Sequence, residues 1–101
     1  MIEDFGLHDA TFLAVELNWS DGTCIMEIRH SELSDCTLVF TGVSNLALKR
    51  TQPWGSSLSI NSATQKASGM YEIEMQSGDL FKIDALDVKL ARTEMAALPK
   101  R

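Results

Sequence analysis

Only two cysteines and two histidines occur in the chain, and that scarcity excludes several chemistries. Two thiols make no disulfide framework. If Ser31 to Asp35 closes a hairpin, His30 faces Cys36 and Cys24 falls several residue pairs further along, so both thiols read as reduced, buried side chains. The chain has no CxxC, HExxH or other close metal-ligand spacing and no Gly-x-Ser-x-Gly elbow. Gly55-Ser56-Ser57 has neither the length nor the lysine of a phosphate loop. The sequence therefore predicts no enzyme and no cofactor.

Basic residues are also few, nine against fourteen acids, for a formal net charge of −5. The densest basic clusters are only Lys49-Arg50 and Lys100-Arg101. Phosphate backbones are bound by clustered Lys and Arg, so no nucleic-acid surface is expected. The acidic balance suits either solubility or a basic protein partner. No apolar run reaches the ~18 residues of a membrane helix, and Glu3 and Asp4 interrupt any leader-like start, so the expectation is a cytoplasmic chain without membrane contact.

What is present is alternation. Tyr71, Ile73 and Met75 alternate with Glu72, Glu74 and Gln76, and after Ser77-Gly78-Asp79 the pattern resumes as Phe81, Ile83 and Ala85. Period two is the mark of a strand with one face buried and one wet. Sharing a face sets Met75 against Phe81, Ile73 against Ile83 and Tyr71 against Ala85, with Gly78 or Asp79 at positive φ. The same register pairs Glu74 with Lys82, which is favourable, and Glu72 with Asp84, which is not. Beyond Ala85 the apolar positions move to Leu86, Val88 and Leu90, so a bulge or bend at Ala85-Leu86 is expected to carry the arm from one sheet into another.

Upstream, Ile2, Phe5 and Leu7 among acids suggest a short helical turn or an irregular cap, and Ala10 to Trp19 reads as a strand with Leu13, Val15, Leu17 and Trp19 on one face. A two-residue loop at Asp21-Gly22 pairs Trp19 with Cys24, Leu17 with Met26, Val15 with Ile28 and Leu13 with His30, although Glu16 opposite Glu27 leaves a second register open. Cys36 to Thr41 continues the meander with Leu38 and Phe40 inward, Val43 to Arg50 reads as a short strand or a helical turn, and Leu58 with Ile60 as another strand. Asn61 to Gly69 is polar and reads as loop, Pro53-Trp54-Gly55 is a loop by composition, and Thr93 to Leu98 suits either a short helix before Pro99 or a frayed end. Six or seven short strands without helical crossovers imply one all-β domain over residues 1–101, an antiparallel sandwich or a partly open barrel with short terminal helices.

Few residues carry candidate chemistry. His8-Asp9 joins an imidazole to a carboxylate, but neighbours on an extended chain point apart unless a turn intervenes, and hydrogen bonding to nearby backbone is the plainer reading. His30 reads as a rim residue making one hydrogen bond; together His8, Asp9 and His30 are the one set that would suit a metal or a small ligand. Trp54 on its loop offers contact area with a polar handle, unless the ring folds back onto the core.

His8-Asp9-Ala10 opening a strand, Phe40-Thr41-Gly42-Val43, Pro53-Trp54-Gly55-Ser56 and the hairpin from Tyr71 to Asp79 together resemble a group of small uncharacterised bacterial β-rich families, some similar to immunity proteins that neutralise partner toxins. The resemblance spans residues 8–91, implies a small binding protein and transfers no catalytic residue. The functional expectation is a non-enzymatic protein-interaction domain, immunity-like, that meets a protein partner through Trp54, Glu72, Glu74, His8 and Asp9. The alternatives are a metal- or small-molecule-binding domain and a homodimer formed through exposed sheet edges.

Overall fold

The computed structural model describes residues 2–50 and 59–92. A 3-10 turn at Ile2–Phe5 precedes β1 (Thr11–Asn18), β2 (Thr23–His30), β3 (Ser34–Thr41), β4 (Asn45–Leu48), β5 (Ile60–Ala67), β6 (Met70–Met75), β7 (Leu80–Asp84) and β8 (Asp87–Arg92). They form two antiparallel four-stranded sheets, ordered β1-β2-β3-β8 and β4-β7-β6-β5. This is the expected all-β fold, built as two sheets and not as a closed barrel.

The core lies between the sheets. Cys24, Met26 and Ile28 of β2 and Cys36, Leu38 and Phe40 of β3 are buried, as are Tyr71, Ile73 and Met75 of β6 and Phe81 and Ile83 of β7. Edge-to-face ring pairs tie the layers, Phe40 with Tyr71 at 5.7 Å and Phe12 with Phe81 at 5.1 Å. Ile2, Leu7 and Ala10 close one end.

The switch between sheets falls where the apolar parity changes. Ala85 N–H donates to the Gly69 carbonyl at 3.0 Å, beside β6, and the next amide, Leu86 N–H, donates to Thr41 of β3 at 2.8 Å. Leu86 itself does not turn inward as its spacing suggests: it is 84% exposed and lies against Gly42, whose φ is +64°.

The three expected hairpins close two residues away from the expected registers and keep the expected faces, except at the start of β1, where the bulge at Phe12/Ala14 turns Phe12, not Leu13, inward. Asn18 pairs with Thr23 around a four-residue loop, His30 with Ser34 around three, and Met75 N–H reaches the Asp79 carbonyl around three. Gly22 (φ 70°) stands last in its loop, the place of the left-handed residue that follows a type I turn, instead of inside a two-residue turn, and Gly78 (φ 100°) has the positive φ expected of it, last in a loop of Gln76 to Gly78. Asn18 Oδ1 holds the first loop by accepting from the Ser20 and Asp21 amides. In the shifted register Glu72 faces Lys82, and the like-charge pair with Asp84 disappears.

Among the described residues eight strands form where six or seven were expected: the arm from Leu80 to Leu90 is two strands, β7 and β8, and the strand expected at Ile60 runs on as β5 through residues read above as polar loop. Register shifts at Ile60/Ser62 and Gln65/Ala67 break its alternation, so Ile60 and Ala63, of opposite parity, both turn inward while its polar residues face water. Residues 43–50 contain the short strand β4. The readings at Pro53-Trp54-Gly55, Leu58 and Thr93 to Leu98 lie outside the described residues.

A Cβ added at Gly42 would sit 2.5 Å from Leu86 Cδ1. Gly42→Ala is therefore expected to cost ~1–2 kcal/mol from the left-handed backbone alone, with a steric part on top. In urea unfolding, Leu86→Ala in the same chain should recover the steric part and leave the backbone part.

Candidate functional site

Asp9 adopts φ 69°, a turn that brings the His8 and Asp9 side chains together, Nε2 to Oδ1 at 3.5 Å. His8 Nδ1 donates to the Asn61 carbonyl at 2.8 Å, so in the neutral ring Nε2 carries a lone pair and the contact becomes an ion pair only on protonation. Gln76 Nε2 donates to Asp9 Oδ1 at 2.7 Å, and the backbones of Asp9, Ala10 and Ile60 exchange two further bonds of 2.8 Å. The pair is an exposed clasp that ties the entry of β1 to β5 and the β6–β7 loop.

His30 is buried at 5% exposure, not a rim residue. Its Nε2 donates to the Phe5 carbonyl at 2.8 Å, while Nδ1 accepts from the Glu32 and Leu33 amides at 3.0 and 3.2 Å. Both nitrogens are committed to backbone, which withdraws His30 from any ligand set with His8 and Asp9. Among the described residues no group of three His, Cys, Asp or Glu side chains is placed to hold a metal. The register sets Ile28 opposite Cys36 and Ser34 opposite His30, so the expected His30–Cys36 neighbours are separated. Cys24 and Cys36 are free and buried, and burial pushes both thiols up, away from the reactive thiolate.

Glu72 and Glu74 share the outer face of the second sheet, but Glu72 lies between Lys82 across the ladder and Lys66 Nζ at 3.9 Å. Glu74 accepts from Asn61 Nδ2 at 3.4 Å. Basic neighbours thus dilute this patch. Trp54 lies outside the described residues.

The feature missed in the sequence is the flank of β1. The register sets Val15 opposite Met26 and Leu17 opposite Cys24, on the core-facing side of the sheet, yet they are 39% and 37% exposed, Leu13 is 43% exposed and Trp19, at the loop, 87%. Leu17, Trp19, Val43 and Leu46, with Ser44 and Asn45, line an open cleft of about 540 Å³ there. The signal available in the sequence was the Glu16–Glu27 clash, which disfavours the register that buries Trp19. Comparison with family models, with curated proteins and with solved structures finds no match.

Two outcomes follow. His30→Ala leaves the Glu32 and Leu33 amides and the Phe5 carbonyl without this partner and should cost ~1–3 kcal/mol in chemical unfolding, whereas exposed His8→Ala should cost much less. Glu3 accepts the Gln65 amide at 2.9 Å, which holds its carboxyl below the usual 4.5. A lowered folded-state value stabilises above the unfolded value and is lost as pH falls through the folded one. The Gln65 amide shift should therefore titrate below 4.5 and lose that titration in Glu3→Gln.

Proposed function

We propose that the chain is a non-enzymatic protein-interaction domain whose contact surface is the exposed flank of β1, with Trp19 as its anchor. The observation that carries this reading is the indole, 87% exposed beside the partly exposed Leu17 and Val15 and the cleft at Val43 and Leu46. A rigid aromatic at the mouth of an apolar cleft is the side chain whose burial most often dominates a protein interface. The formal charge of −5 would speed encounter with a basic partner. Immunity-like inhibition of that partner is the form of binding that the short-motif resemblance implies. His8 and Asp9 stand at the opposite end of β1 from Trp19, separated by the eight residues of that strand, roughly 26 Å at ~3.3 Å per residue, and belong to a separate rim. The alternative ligand set of His8, Asp9 and His30 is weakened because His30 spends both nitrogens on backbone.

Tagged protein should retain one stoichiometric protein from an extract of its source cells, less of it as salt rises. Trp19→Ala should weaken that binding at least ~30-fold, the scale of a hot-spot truncation, and His8→Ala should leave it unchanged. Retention of the same protein by Trp19→Ala would refute the assignment.

A further inference from the structure

Hydrogen bonding alone leaves the meeting of His8 with Asp9 incomplete. Ala10 N–H donates to the Leu7 carbonyl at 2.9 Å and closes a β-turn with His8 and Asp9 at its corner. His8 Nδ1 lies 2.8 Å from the Asn61 carbonyl, an atom that can only accept, so Nδ1 carries the proton of the neutral ring and Nε2 is left with a bare lone pair. Nε2 stands 3.5 Å from Asp9 Oδ1, which is a second acceptor. Two acceptors held at that distance leave a place for a cation between them. Two ligand atoms each ~2.1 Å from a tetrahedral zinc-like ion stand about 3.4 Å apart, close to the separation found.

Both side chains are also held from behind. A metal-binding imidazole donates its other N–H to a carbonyl or carboxylate, as His8 does to Asn61, and a ligating carboxylate is itself hydrogen-bonded, as Asp9 Oδ1 is by Gln76 Nε2 at 2.7 Å. The Asp9 N–H donates to the Ile60 carbonyl at 2.8 Å and fixes the turn on β5. Asn61 Nδ2 meets Glu74 at 3.4 Å, which brings a second negative charge into the neighbourhood. With 66% and 63% of their side-chain surface exposed, His8 and Asp9 are open to an ion from solvent.

We propose that His8 Nε2 and the Asp9 carboxylate bind a divalent transition-metal ion of the zinc class, its remaining positions left to water or to a ligand from outside. The site does without His30, and it is independent of the Trp19 surface at the other end of β1. An imidazole beside a carboxylate suits Zn²⁺, Ni²⁺ and Cu²⁺, whereas Mg²⁺ and Ca²⁺ select oxygen ligands. Having fewer protein ligands than a structural zinc site, it holds its ion weakly and exchangeably.

Zinc chloride titrated into the full chain, free of any histidine tag and buffered above the imidazole range, is read by the ring carbon–proton signals of the two histidines. Those of His8 should move and saturate. Those of His30, whose nitrogens are engaged by backbone, should stay fixed and report an intact fold. Asp9→Asn keeps a side chain that tolerates the φ of 69° and should raise the zinc dissociation constant at least ~10-fold. Gln76→Ala should raise it on the ~10-fold scale of a lost supporting hydrogen bond, and Mg²⁺ at the same concentration should leave His8 unmoved. A His8 signal indifferent to zinc, an equal response to Mg²⁺, or a zinc affinity unchanged in Asp9→Asn, the mark of an isolated surface imidazole, would overturn the proposal.

Discussion

Two consecutive amides hold the sandwich together. Ala85 N–H serves the second sheet through Gly69, and Leu86 N–H serves the first through Thr41. Between them the chain leaves one layer and enters the other. Once that crossing is made, β7 lies beside β6 and β8 beside β3, and the two inner faces are committed to each other. Phe40 over Tyr71 and Phe12 over Phe81 are consequences of that commitment.

The same arrangement explains what is left open. Sheet two ends in the four-residue β4. Phe12 reaches Phe81, and beyond the bulge at Phe12/Ala14 Leu17 faces a cleft that Asn45 and Leu46 of β4 also line. Leu13, Val15 and Leu17 keep more than a third of their surface in water, and with Trp19 they make an apolar patch of the kind that marks a contact surface.

Fold class, the 3-10 turn, the inter-sheet bend and the inner faces of β2, β3, β6 and β7 were legible because a two-residue slip changes partners without changing faces. Registers were not legible, because the glycines that reverse the chain end their loops and do not centre them, and the difference depends on the Asn18 cap and the loop backbone. β5 was illegible for a related reason: an extra residue after Ile60 hides its period of two. At the candidate site, alternation marked Val15 and Leu17 as core-facing, which their register confirms, but their exposure is set by packing between the layers, and no local pattern encodes that. The turn that joins His8 to Asp9 needs a non-glycine residue at positive φ, which spacing does not announce.

The account turns on where the first hairpin closes, because that places Trp19 outside the ladder and at the cleft. Cross-strand proton contacts in an isotope-labelled sample read this directly. The account predicts contacts of Leu17 with Cys24 and of Val15 with Met26. Contacts of Trp19 with Cys24 and of Leu17 with Met26 would contradict it.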